Sequence, residues 1–204
     1  MKDNCSVATN WSYIAVSLVV AVSITLLVIY MPGIKEIDSE ILKIVKKFLT
    51  QFPSYIPVFF SNYAGVGNFW WPQVAAGAVL VSHQKYLKAF LLVFFTQGSY
   101  ILCDVIKNFV GRERPSIYAG YSFPSGHALI TTCFYGILIY LILKYTRSPF
   151  WRYFLVIIFA LMIFMVAISR LWLGVHYPTD VIAGIFYGVI FANLYIIFDK
   201  FFKG

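Results

Sequence analysis

Charge is what this sequence has least of. Only 12% of its 204 residues are Asp, Glu, Lys or Arg, while 61% are hydrophobic and 20% are Phe, Trp or Tyr. A soluble domain carries about 25% charged residues, so a water-solvated globule is excluded as the whole fold. Cysteine is also scarce. Cys5, Cys103 and Cys133 form no CxxC pair and have no metal-ligand spacing, which argues against a disulfide framework or a zinc module. Cys103 and Cys133 fall in apolar runs, where a free thiol packs as a small apolar group. Internal repeats, low-complexity tracts and linker-like stretches are missing too, so one domain over residues 1–204 is expected. The formal net charge of +8 does not call for nucleic acid. Most lysines and arginines sit in short gaps between apolar runs, as they do beside transmembrane helices.

What is abundant is apolar length. A helix needs roughly 20 apolar residues to cross a bilayer, and this chain has room for about six. The expected fold is all-α: a polytopic membrane protein with spans near 11–31, 69–82, 89–110, 125–143, 153–171 and 178–198. The first run is longer than a signal-peptide core and has no small-residue cleavage site after it, so it reads as a retained span. Residues 35–52 differ. Ile37, Ile41, Ile44, Val45 and Phe48 recur at helical spacing, and Glu36, Asp38, Glu40, Lys43, Lys46 and Lys47 fill the other positions. This is the pattern of an amphipathic helix lying in the membrane interface, with acid leading and base ending to suit the helix dipole. Between 48 and 82 no residue is charged, and Pro53, Pro57, Gly65, Gly67 and Pro72 interrupt the run. An irregular or re-entrant piece is expected before Asn68.

Six spans place both termini on one side, with Lys2, Lys85, Lys88, Lys144, Arg147, Arg152, Lys200 and Lys203. The excess of positive charge assigns that side to the cytoplasm, although Lys43, Lys46 and Lys47 run against the rule. The opposite, outer face receives residues 111–124 and the turn at 172–177.

Three polar clusters converge on that outer face. Lys107, Arg114 and Arg170 are cations at the membrane edge, where charge is costly and marks a pathway or a bound anion. Arg offers a planar fork for phosphate oxygens and Lys a point charge. Pro124-Ser125-Gly126 reads as a helix start with Ser125 as N-cap, and free N–H groups there suit phosphate. Gly126 permits close backbone approach. Asp180 can reach back to His176, fixing its tautomer and making the other ring nitrogen the better nucleophile. His127 can act as general acid toward a leaving oxygen. Taken singly, each has a plainer reading: a solvated histidine, a snorkelling cation, a turn. Their convergence on one face outweighs those readings. Gly184 and Gly188 read as helix packing, Arg112 and Glu113 as facing water, Asp104 as an i,i+3 partner of Lys107 outside the site, and His83 as having no role.

Lys107…Arg114-Pro115, then Pro124-Ser125-Gly126-His127, then Ser169-Arg170…His176…Asp180 resembles the three-part signature of the type 2 phosphatidic acid phosphatase superfamily, over residues 107–180. The resemblance implies a membrane lipid phosphatase that needs no metal or other cofactor and works through a phosphohistidine. It implies His176 as nucleophile, Asp180 as its orienting carboxylate and His127 as proton donor. Lys107, Arg114, Ser125, Gly126 and Arg170 would hold the phosphoryl oxygens. The partners it implies are a lipid phosphate and the bilayer, at the cytoplasmic membrane. Among family substrates, undecaprenyl diphosphate is expected ahead of phosphatidylglycerophosphate, phosphatidic acid and lipid A phosphate. A lipid phosphotransferase and a non-catalytic scaffold or transporter are the alternatives.

Overall fold

The computed structural model describes residues 2–65 and 69–202, with side chains from Asn10 onward. Cys5, Lys2 and Lys203 therefore lie outside the described side chains. So do Gly67 and Asn68, at the end of the expected irregular piece. Among the described residues the chain is all-α: α1 (Lys2–Tyr30), α2 (Ile34–Leu49), α3 (Tyr55–Tyr63), α4 (Trp70–Ser82), α5 (Tyr86–Val110), α6 (Gly126–Tyr145), α7 (Pro149–Trp172) and α8 (Pro178–Phe201). α6 and α8 form the central pair. α1 packs on α8, α5 and α7 flank α6, α3 lies against α7, and α4 lies against α5.

The central pair is close because of two glycines. A Cβ added at Gly184 would sit 2.6 Å from the Ser125 carbonyl oxygen, and one at Gly188 would sit 2.5 Å from that of Leu129. Both are helix-to-backbone contacts of the kind small residues allow in membranes. The Gly184 contact also sets the start of α6 directly on α8. Polar bonds tie α1 to the same helix: Asn10 Nδ2 donates to Asn193 Oδ1 at 2.8 Å, and Thr25 Oγ1 lies 2.9 Å from the Tyr187 hydroxyl.

Among the described residues five helices are long and apolar enough to cross a membrane: residues 10–30 of α1, and α5, α6, α7 and α8. Their outward faces carry exposed Val19, Ile157 and Phe164, surface that calls for lipid rather than water. The expected span at 69–82 is the exception. α4 has 13 residues, about 20 Å of helix at 1.5 Å per residue, against a hydrocarbon core of about 30 Å. The charge-free run is divided into the short helices α3 and α4, with Pro53 just before the first and Gly65 just after it. Charge-free length thus overstated the continuous helix.

α2 forms as the spacing predicts. Ile37, Ile41, Ile44 and Phe48 are exposed along one stripe, while Leu42 and Leu49 pack inward. Asp38, one of its polar positions, is buried. At the far end of the bundle, Asp199 is buried. It binds the Lys88 and Lys144 ammoniums and accepts from the Tyr140 hydroxyl at 2.7 Å. Cys103 and Cys133 are buried free thiols.

Candidate active site

The site is assembled from three chain segments that end or begin a helix at the same end of the bundle. α5 supplies Lys107 in its last turn. It stops at Gly111, whose φ of 64° turns the chain into the left-handed region that glycine adopts without strain. The loop that follows closes on itself: Ser122 N donates to Arg112 O at 2.7 Å and Ser122 Oγ to Glu113 O at 3.1 Å. Lys107 Nζ donates to the Tyr121 and Ser122 carbonyls at 2.7 and 3.4 Å. The expected Lys107–Asp104 pair is not formed, because these carbonyls take the ammonium instead.

α6 begins at Gly126 with Ser125 as its N-cap residue, but the Ser125 side chain makes no capping bond. Its hydroxyl is buried without a hydrogen-bond partner, which leaves it free for a ligand oxygen. Ser125 N donates to the Asp180 carbonyl at 2.9 Å, fixing the start of α6 to the start of α8. Arg170, in the last turn of α7, is buried. Its Nη1 donates to Ser61 Oγ at 2.5 Å, and its Nε has no partner.

His176 is enclosed, at 1% exposure. Its Nδ1 lies 3.5 Å from Asp180 Oδ2, without hydrogen-bond geometry. Such pairs often tighten only when substrate binds. Its Nε2 faces Arg114 Nη1 at 3.4 Å. Burial pushes the imidazole down to about 4, further lowered by Arg170 and Lys107 and opposed by the Asp180 carboxylate. The ring is therefore neutral near pH 7. The Arg114 guanidinium can only donate, so the lone pair falls to Nε2 and the proton to Nδ1, on the side of Asp180. Asp180 is held on three sides: Tyr177 N donates to Oδ2 at 2.9 Å, Arg112 Nη1 to Oδ1 at 2.7 Å, and His176 stands beside Oδ2. Burial also lowers the Arg114 guanidinium from its ordinary range, opposed by Asp180.

Lys107, Arg114, Gly126, His127 and His176 line one cavity of about 290 Å³, which continues between α4 and α5 to Gln73 and Gln97. Ser125, Arg170 and Asp180 are buried and stand behind the lining residues, Ser125 next to Gly126 in the chain and Asp180 beside His176. The arrangement puts a neutral, lone-pair-bearing imidazole, a second imidazole and two cations, Lys107 and Arg114, around a space sized for a phosphoryl group and part of its substituent, with the Arg170 charge buried close enough to act on both imidazoles.

The PAP2 superfamily pattern matches residues 88–203, more than half of the chain and all three clusters. The chain belongs to the PAP2 superfamily. It is similar to phosphatidylglycerophosphatase B of Bacillus subtilis, 29% identical over 148 residues, covering 68% of this chain and 72% of that protein. It is also similar to undecaprenyl-diphosphatase of Sulfolobus acidocaldarius, 32% identical over 138 residues, covering 62% of this chain and 61% of that one. In structure it resembles the transmembrane PAP2 type phosphatidylglycerolphosphate phosphatase from Bacillus subtilis. That match has a TM-score of 0.79 and 25% identity, and covers 95% of this chain and 97% of the other. Aquifex aeolicus LpxE shares the fold at a TM-score of 0.59, covering 77% of this chain and 93% of the other. The chain is thus a PAP2-superfamily membrane phosphatase of the lipid phosphate class.

Within this PAP2 chain, three residues near the site were not singled out by spacing. Arg112, expected to face water, is buried. Its Nη1 donates to Asp180 and to Thr179 Oγ1 at 2.7 and 2.8 Å, its Nη2 to Asp38 Oδ2 at 2.7 Å, and its guanidinium stacks over the Tyr177 ring. Asp38 also accepts from Thr179 Oγ1 at 2.5 Å. Ser61 of α3 holds Arg170. Glu113 does face water, paired with Lys35 of α2 at 2.9 Å. The pairing raises the Lys35 ammonium and lowers the Glu113 carboxyl. His83 caps the end of α4, exposed and distant in the chain from the three clusters.

Proposed function

We propose that the chain hydrolyses a lipid phosphate through a phosphohistidine on His176. The carrying observation is the enclosed His176 imidazole, neutral at pH 7, with Asp180 at Nδ1 and the Arg114 guanidinium at Nε2. His176 Nε2 attacks phosphorus. An N–P bond forms and the bond to the lipid oxygen breaks, while His127 passes its proton to that oxygen. Water then attacks phosphorus and gives its proton to His127. The N–P bond breaks, phosphate leaves, and His176 returns to its neutral form. Lys107, Arg114, Arg170, the Ser125 hydroxyl and the N–H groups opening α6 hold the phosphoryl oxygens as charge shifts. Asp180 keeps the proton on Nδ1 and stabilises the charged ring.

Three cations supply the charge that a metal provides in other phosphatases, so we assign the reaction no metal. Among the described residues no group of three or more His, Cys, Asp or Glu is placed to hold one. α3 and α4 together complete a sixth crossing, α2 lies in the outer interface, both termini are cytoplasmic and the site opens on the outer face. The loop charges and the exposed apolar stripe of α2 support this placement. Undecaprenyl diphosphate, phosphatidylglycerophosphate and lipid A 1-phosphate are the substrate classes that the relatives' names bring forward.

The test is phosphate release by the purified protein in detergent with EDTA, from each of these lipids and phosphatidic acid, beside His176→Ala. Release from at least one lipid, lost in the variant, is expected. Release that stops in EDTA and returns with a divalent ion would overturn the metal-free mechanism.

A further inference from the structure

The cavity at His176 does not end at the phosphoryl group. It runs on between α4, α5 and α6, and its two sides differ. Phe69, Trp70 and Ile130 make one side apolar. On the other, α5 presents Gln97, Tyr100, Asp104 and Lys107, spaced by three and four residues so that they stack on one helix face. Gln97 lies ten residues before Lys107, about 15 Å along the axis at 1.5 Å per residue. A polar stripe therefore descends from the phosphate site into the depth of the bilayer.

Ionisable and amide groups at that depth are costly, and they face a cavity for a reason. The bonds that exist here are few. Gln97 Nε2 donates to Gln73 Oε1 at 2.9 Å, and Gln73 Nε2 donates to Phe69 O at 3.2 Å. This uses an amide donor of each glutamine, and among the described residues no donor reaches Gln97 Oε1. The Asp104 carboxylate has no hydrogen bond or ion pair among the described residues, since Lys107 is turned to the 121 and 122 carbonyls. Below Lys107 the wall therefore offers the Asp104 carboxylate and Gln97 Oε1 as acceptors and the second Gln97 N–H as a donor, with the Tyr100 hydroxyl able to serve either way. A ligand segment rich in O–H donors satisfies such a wall. A second phosphate bonded directly to the first does not, because one helical turn below Lys107 it sets acceptors and negative charge against the Asp104 carboxylate, whereas a glycerol or sugar places hydroxyl groups there.

We propose that Gln97, Tyr100 and Asp104 form the specificity wall of this phosphatase. They accept hydrogen bonds from hydroxyl groups on the leaving alcohol, and so select a glycerol- or sugar-bearing lipid phosphate over a polyprenyl diphosphate. The inference rests on the lipid phosphatase reading of the His176 site, in which His127 delivers a proton to the leaving oxygen at the mouth of this same cavity. It turns the substrate preference away from the undecaprenyl diphosphate expected from the sequence.

The test measures kcat/KM in detergent for four lipids: phosphatidylglycerophosphate (glycerol), lipid A 1-phosphate (sugar), phosphatidic acid, whose leaving glycerol is fully esterified, and undecaprenyl diphosphate. Wild type is compared with Asp104→Ala, Asp104→Asn and Gln97→Leu, each checked for an unchanged unfolding midpoint. Wild type is expected to prefer one of the two hydroxyl-bearing lipids, and the two arms say whether glycerol or sugar is read. In Asp104→Ala the ratio of kcat/KM for that lipid to kcat/KM for phosphatidic acid falls about 10- to 100-fold, the loss expected for a hydrogen bond to a charged group. Asp104→Asn, which keeps an acceptor but loses the charge, recovers part of the ratio and gains on undecaprenyl diphosphate. A wild type that prefers undecaprenyl diphosphate, or variants that leave every ratio unchanged, would refute the wall and leave the phosphatase reading intact. A folded wild type releasing phosphate from no lipid would remove both.

Discussion

Arg112 Nη1 lies 2.7 Å from Asp180 Oδ1, and Nη2 of the same guanidinium lies 2.7 Å from Asp38 Oδ2. One side chain thus joins the amphipathic helix α2 to the carboxylate that stands behind His176. All three groups are buried, so each charge depends on the others for compensation.

Arg112→Ala leaves the buried Asp38 and Asp180 carboxylates without their shared cation, and it is expected to cost about 3–5 kcal/mol as well as lowering kcat. Arg112→Lys keeps the charge, but a single ammonium cannot reproduce the fork that reaches Asp38, Thr179 and Asp180 together. Its kcat should fall between those of wild type and the alanine variant. Unfolding midpoints and kcat measured in the same detergent check both. An Arg112→Ala protein of wild-type stability and rate would contradict the bridge.

Gly184 and Gly188 set how near α8 comes to α6. A methyl group at either meets backbone oxygen at 2.6 or 2.5 Å, and backbone cannot swing aside as a side chain can. Gly188→Ala should destabilise by about 1–3 kcal/mol, as overpacking does. Gly184→Ala should do the same and also lower activity, because it presses on Ser125 at the start of α6. Thermal unfolding set against phosphate release separates the two effects.

The pH dependence follows from His176. Burial holds its folded pKa at about 4, below the unfolded value of about 6.5. The neutral nucleophile therefore persists to low pH, and the acid limb of kcat/KM, corrected for substrate ionisation, should lie nearer 4 than 6.5. The same shift acts on stability. Between these values the unfolded chain binds the proton and the folded site does not. Stability at this site is complete above about 6.5 and lost as pH falls toward 4. Unfolding midpoints of wild type and His176→Asn across pH 4–7 should converge as the pH falls.

His127 is assigned the proton transfers. His127→Ala should lower kcat about 10²- to 10⁴-fold, the usual worth of a general acid, with a smaller loss on a substrate whose leaving group needs no proton. A uniform loss on both substrates would assign His127 to binding.

The grouping of the site residues was legible in the sequence because they sit in short segments of tight internal spacing. His176 and Asp180 are four apart at a helix start, and Ser125, Gly126 and His127 are adjacent. The five long spans were legible from apolar length. The interruption between α3 and α4 was legible from Pro53, Pro57 and Gly65; that the piece before it is a regular helix, α3, was not, since prolines and glycines at its ends look alike whether the residues between them coil or wind. Asp38 was hidden for another reason. On an amphipathic helix, periodicity separates lipid from non-lipid faces but cannot tell water from a guanidinium that arrives 74 residues later in the chain. Arg112 was hidden in the same way, as was Asp104, whose nearest charge in the chain, Lys107, turns away from it.

The most direct test of the central claim is the fate of the phosphoryl group. A labelled lipid phosphate is mixed with His127→Ala protein, quenched in alkali to preserve phosphohistidine, and the labelled peptide is identified by mass spectrometry. Label on His176, absent when His176 is also replaced by Ala, is the predicted result. Turnover by wild type with no label on His176 under any quench, together with phosphate release retained by His176→Ala, would contradict the account.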